Sequence, residues 1–169
     1  MGRLRHPGRY RDERRPERAC RGRADRLLAL LSGLAPYVDA RFSLLCHSYG
    51  SVVCAHAAPL LAQTGVQVSD IVNLASPGLD VSTVGELGTS ARVWVAQAAS
   101  DRIGWVPNVR VFGVGHGRDP LDPAFGARAV DVDDAQGHDG YLVAGTSSVR
   151  RLTAIAVGTG DAHSVLAAR

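Results

Sequence analysis

The chain has 169 residues, a length that suits a single domain with a real core. Its 46% apolar content marks it as globular, and few aromatics beside many alanines and glycines favour an α/β fold over a β-sandwich. No apolar run approaches the roughly 20 residues that a membrane span needs.

The net charge of +3 is unevenly spread. Ten arginines and four acids lie at or before Arg26, whereas nine arginines face twelve acids from residue 27 onward, so the second part is mildly acidic. Lysine is absent, a mark of GC-rich coding rather than of physics. Residues 1–26 lack apolar periodicity and read as a basic, solvated, disordered arm, with the folded domain over 27–169. Clustered arginine can hold nucleic acid without sequence preference, but acids are interleaved here and no aromatic platform accompanies them. Nucleic acid is therefore not the expected partner. Arg14-Arg15 is not a twin-arginine signal, because no hydrophobic segment follows.

A short helix is predicted from Asp25 to Leu34, with Leu27, Leu28, Leu30, Leu31 and Leu34 on or near one face and Gly33 and Pro36 ending it. A strand over Arg41 to Cys46 follows, then a helix from Ser51 closed near Gly65. The next strand is Ile71 to Ala75, stopped by Ser76-Pro77-Gly78. A weak helical segment over Ser82 to Leu87 leads to a strand at Ala91 to Ala96. After Asp101 the chain reads as a loop punctuated by Pro107, Gly113, Gly115, Gly117, Pro120 and Pro123. A short strand over Arg128 to Val132 precedes Gly137-His138-Asp139-Gly140-Tyr141, and Ser148 to Val157 reads as a helix ended by Gly158. Strands alternating with helices argue a mostly parallel sheet with flanking helices. The odd number of cysteines (Cys20, Cys46, Cys54) suggests no disulfide framework, and Cys54 is most simply a small buried apolar residue. A reducing, cytoplasmic setting is the expectation.

Between the first strand and its helix stands Cys46-His47-Ser48-Tyr49-Gly50, one residue away from G-x-S-x-G. That pattern places a serine on a sharp strand-to-helix turn, with its hydroxyl exposed and the following N–H facing a developing oxyanion. Small residues are needed two before and two after the serine, because the two backbones pass closely there. Gly50 fits, and Cys46 is larger than glycine yet still small. A serine hydroxyl needs a base, and the base needs an orienting acid, in the chain order Ser, acid, His. Such groups cluster at the carboxyl ends of strands. Asp101 follows the Ala91–Ala96 strand, with Asp119, Asp133 and Asp134 as competing acids. His138 follows the Arg128–Val132 strand in a glycine-flanked loop, against His47, His56, His116 and His163. No set of histidines, cysteines and acids has metal-ligand spacing, so neither metal nor cofactor is expected.

Several further segments occur in one order: Cys46-His47-Ser48-Tyr49-Gly50-Ser51, Ala75-Ser76-Pro77-Gly78, Val93-Trp94-Val95 through Asp101-Arg102-Ile103, His116-Gly117-Arg118-Asp119-Pro120, Phe125-Gly126-Ala127-Arg128, and Gly137-His138-Asp139-Gly140-Tyr141-Leu142. On these the chain, from about Leu27 to Gly158, resembles an actinobacterial family of α/β-hydrolases of unknown function. The resemblance implies Ser48 as nucleophile, Asp101 as acid and His138 as base; the substrate expected from such a triad is a small-molecule ester, thioester or amide, which the resemblance does not name. The Tyr49 N–H is the expected oxyanion donor, and Ser76, Pro77 and Trp105 are candidates for the substrate-pocket wall. The family usually has glycine where Cys46 stands. A complete fold of this kind also has several strands before its elbow and a loop giving a second oxyanion donor, yet 47 residues precede Ser48. The expectation is thus the C-terminal part of an α/β-hydrolase fold, from a truncated gene or a late start codon, with the elbow strand at a sheet edge. The alternative is a catalytically weak or inactive remnant that acts as a binding module.

Overall fold

A computed structural model describes residues 15–39, 41–105 and 119–160. Among these residues four strands form one parallel sheet in the order β1-β2-β3-β4: β1 Phe42–His47, β2 Val68–Leu74, β3 Arg92–Ala96 and β4 Arg128–Ala129. Three α-helices accompany them, α1 Arg15–Leu34, α2 Tyr49–Thr64 and α3 Ser147–Ala156. The register pairs His47 with Leu74 and Leu74 with Ala96, so the carboxyl ends of the first three strands lie level. The ladder continues past them, with Ser48 N–H donating to the Leu74 carbonyl at 2.8 Å and Ala75 N–H to the Ala96 carbonyl at 3.1 Å.

Strand alternation divides the core between the two faces of the sheet. Leu44, Cys46 and Ile71 pack with Ala24, Leu31, Ala57, Ala58 and Leu61 of α1 and α2. Leu45, Val72, Leu74, Trp94 and Ala96 pack on the other side with Tyr141 and with Leu152 and Ile155 of α3. Both faces are covered, which is why β2 and β3 read as apolar runs rather than as alternating ones. Among the described residues β1 is an edge strand.

The observed elements correct several expectations. The first helix begins at Arg15 rather than Asp25, so the stretch 15–26 is helix and not a disordered arm. Cys20 and Ala24 are buried one turn apart, and their small side chains let α1 lie close to α2. Residues 1–14 lie outside the described residues. α2 begins two residues early, directly after Ser48, and ends at Gly65, whose φ of 76° is the left-handed cap that glycine supplies without strain. β2 starts three residues early, the segment near Ser82–Leu87 is a 3-10 turn over Val84–Leu87, and β4 keeps only two paired residues. α3 begins at Ser147, and Thr146 is its N-cap, with its Oγ1 accepting from Val149 N–H.

The cysteines give the largest correction. Cys46 and Cys54 form a disulfide, with Cα atoms 6.5 Å apart. Counting could not show this. Strand, corner and the first two helical turns fold back on themselves, so two residues eight apart in sequence face each other in the α2 side of the core. Cys20 is the free, buried cysteine.

At the opposite end of the sheet, Asp70 of β2 is fully buried, accepting from Arg92 Nε (2.8 Å) and Nη2 (2.9 Å) and from Trp94 Nε1 (2.7 Å). Burial works to raise its pKa, but the hydrogen bonds from Arg92 and Trp94 outweigh that and hold it below the usual carboxylate value of 3.8. A carboxylate with a depressed folded pKa stabilises the fold above its unfolded value, and the contribution fades as pH falls through the folded one. Asp70→Asn should therefore lower stability at pH 7 by about 1–2 kcal/mol, the lower part of the range for charged hydrogen bonds because Arg92 is partly exposed. The gap between variant and wild type should shrink as the pH is taken below 3.8, read from urea midpoints at each pH.

Candidate active site

Ser48 occupies the corner between β1 and α2 with φ 53° and ψ −126°. A non-glycine residue in that region is strained, and it persists only where its surroundings hold it. The strand pins its N–H to Leu74, and Ser51 Oγ donates to its carbonyl at 2.7 Å. Ser51 Oγ in turn lies 2.8 Å from Ser76 Oγ, which also accepts from Gly78 N–H at 3.2 Å. The Ser76-Pro77-Gly78 loop after β2 thus braces the corner from the neighbouring strand. Tyr49 is the first residue of α2, so its N–H is one of those a helix leaves without an intrahelical partner.

The Ser48 hydroxyl lies 2.9 Å from Nε2 of His138, and Nδ1 of that ring is 3.1 Å from both carboxylate oxygens of Asp101. A carboxylate can only accept, so Nδ1–H is the donor there, and Nε2 of the neutral ring is left to receive the serine proton. Three residues from three strand ends, 37 and 90 positions apart, meet in one hydrogen-bonded line.

Asp101 is buried and its carboxylate is fully engaged. It accepts from Ile103 N–H (2.9 Å) and from the Tyr141 hydroxyl (2.8 Å) as well as from His138. Burial alone would raise its pKa, but these hydrogen bonds hold it below the ordinary carboxylate range, so the charge persists. Tyr141, itself buried, accepts from Ala98 N–H at 2.9 Å while donating to Asp101. Burial, with the Asp101 charge added, pushes its phenol well above the usual tyrosine value, so it stays a donor at any working pH.

Two of the competing acids, Asp134 and Asp119, have other partners. Asp134 caps α3, accepting from Ser147 N–H (2.5 Å), Ser148 N–H (3.0 Å) and the Ser148 hydroxyl, and its pKa is lowered by those bonds, chiefly the one from Ser148 Oγ. Asp119 accepts from Leu121 N–H in a local turn, and the Asp133 N–H donates to Asp131. His56, on α2, sits 3.8 Å from Asp80. His116 and His163 lie outside the described residues. Trp105 closes a 3-10 turn over Arg102–Trp105, and the loop beyond it, 106–118, is likewise outside.

Sequence reading gave Tyr141 and Ser51 no role of their own. Tyr141 lies three residues after His138, the spacing of a turn that returns under the histidine, but only the fold shows its hydroxyl reaching Asp101.

Among the described residues no group of three or more histidines, cysteines and acids could hold a metal ion, and no helix is long and apolar enough to cross a membrane. Compared with family models, residues 7–111 match one described as alpha/beta hydrolase. The match takes in more than half of the chain, including Ser48 and Asp101, and the parallel sheet with flanking helices agrees with it. The chain belongs to the alpha/beta hydrolase family. Searches of curated proteins and of solved structures find no match.

Proposed function

We propose that this protein is a serine hydrolase acting on an ester, thioester or amide of a small molecule. Ser48 attacks the carbonyl carbon while His138 Nε2 takes its proton, and the bond to the leaving group breaks as His138 returns that proton to the departing atom. Water then enters by the same route and releases the acid. Asp101 holds His138 in the Nδ1–H tautomer and stabilises the imidazolium. The Tyr49 N–H serves the oxyanion. Pro77 and Trp105 are the proposed pocket wall, and Ser76, tied to Ser51 and Gly78, serves better as a brace for the corner. The observation that carries this reading is the unbroken line from the Ser48 hydroxyl through His138 to the buried Asp101.

The expected cytoplasmic setting rested on unpaired cysteines. With Cys46 bonded to Cys54, an oxidising compartment is the better proposal.

The test is labelling with a fluorophosphonate probe, which reacts with serines activated by their neighbours. Wild type should label and Ser48→Ala should not. A folded wild type that takes no label would overturn the hydrolase reading and leave a binding module in its place.

A further inference from the structure

We infer that His47 is a positioning residue for the reaction proposed above: its ring holds the backbone of the base. This rests on the serine-hydrolase reading, and it gives a role to a histidine that the triad does not use.

His47 is the last residue of β1 and the immediate neighbour of Ser48. Alternation along the strand sends its side chain to the face of Leu45, away from α2 and toward the loop that carries His138. There His47 Nε2 lies 2.6 Å from the His138 carbonyl oxygen. A carbonyl oxygen can only accept, so the proton sits on Nε2 and His47 is the donor. The ring packs at 4.8 Å between centroids against His138 and at 5.9 Å against Tyr141, tilted 54° and 59°.

The geometry closes a small circuit. The dipeptide His47-Ser48 grips one residue at both ends, the Ser48 hydroxyl on the His138 ring and the His47 ring on the His138 carbonyl. His138 stands in a segment without regular structure, and its side chain is 37% exposed, so packing alone does not fix it. The ties that flank His138 in this loop include Gly137 N–H to Ser100 Oγ (2.9 Å) and the Tyr141 hydroxyl to Asp101 and Ala98. These anchor the residue before and the residue three after. Among the described residues the His47 bond is the one that holds the His138 backbone, and it does so from the segment that carries the nucleophile. A shift of the loop relative to β1 strains this bond together with the 2.9 Å contact between Ser48 and His138.

The test compares wild type with His47→Phe, which keeps a ring and loses the donor, and His47→Gln, whose amide N–H can reach the same carbonyl. Displacing a reacting group by about an ångström costs up to roughly 10²-fold in rate. His47→Phe should therefore lose about 10- to 100-fold in kcat toward an activated ester at unchanged KM, and His47→Gln should recover most of it. The downfield proton resonance of His138 Nδ1–H should broaden or vanish in His47→Phe and persist in His47→Gln. Should the phenylalanine fail to fold, His47→Asn, with an amide too short to reach, takes its place. Equal rates in all variants would overturn the inference, and so would equal losses in the phenylalanine and glutamine variants, which would make His47 a packing residue. If Ser48 of the wild type takes no fluorophosphonate, the hydrolase reading falls separately. The resonance then decides on His47 alone: its retention in His47→Phe overturns the positioning role, and its loss supports it.

Discussion

Replacing Asp101 by asparagine is expected to cut kcat by about 10⁴-fold with the fold retained. The size of the effect comes from the tautomer it imposes. Both carboxylate oxygens of Asp101 face fixed donors, Ile103 N–H on one and the Tyr141 hydroxyl on the other, and His138 Nδ1 is equidistant from the two at 3.1 Å. Asparagine has a single acceptor oxygen. The Ile103 N–H cannot turn away, so the oxygen goes there and the NH₂ group is left toward Tyr141 and His138. An N–H facing Nδ1 favours the ring form with its proton on Nε2, and that form cannot accept from Ser48. The substitution nearly preserves volume, so circular dichroism and the urea midpoint should change far less than the rate. Ester hydrolysis and fluorophosphonate labelling should fall together. A rate within tenfold of wild type would remove Asp101 from the proposed triad.

Removing the disulfide with Cys46→Ala and Cys54→Ala together should cost about 2–3 kcal/mol of stability, the chain-entropy value for a loop of this size. In urea that is a midpoint lower by roughly 1 M. The same change should slow the labelling of Ser48 even where the protein is fully folded. The bridge spans the corner at which Ser48 is held at φ 53°, and β1 has a strand neighbour on one side among the described residues. A covalent tie from strand end to helix supplies restraint that a second neighbouring strand would otherwise give. Thiol titration checks the premise: in denaturant the wild type should show one reactive thiol before reduction and three after. An unfolding midpoint equal in the oxidised wild type and the double alanine variant would mean that the bridge does not restrain the unfolded chain as this model requires.

The corner itself was legible because its chemistry is local. A strand, a serine between small residues and a helix fit within ten positions, and positions just after strand ends, taken in the order serine, acid, histidine, point to Asp101 and His138, the pair that the fold brings to Ser48. The alternation of strands and helices gave the parallel sheet for the same reason. What escaped reading depends on contacts between segments. The buried face of α1 is carried in its first half by Cys20 and Ala24, residues too small to raise a hydrophobic pattern among the surrounding arginines, so the helix looked like an arm. The Cys46–Cys54 pair was hidden by an odd count, and Tyr141 and His47 act through atoms whose partners lie 40 and 91 residues away.

One consequence follows from the way α1 is docked. Cys20 sits with no exposed surface against Tyr49 and Val52 of α2, and burial raises its thiol above the ordinary cysteine value, which further protects it from alkylation. With the other two cysteines joined, it is a single built-in probe of whether the first helix is in place. Its reaction with an alkylating reagent under native conditions would time the detachment of α1 from the helix that begins at the nucleophile, with no label introduced.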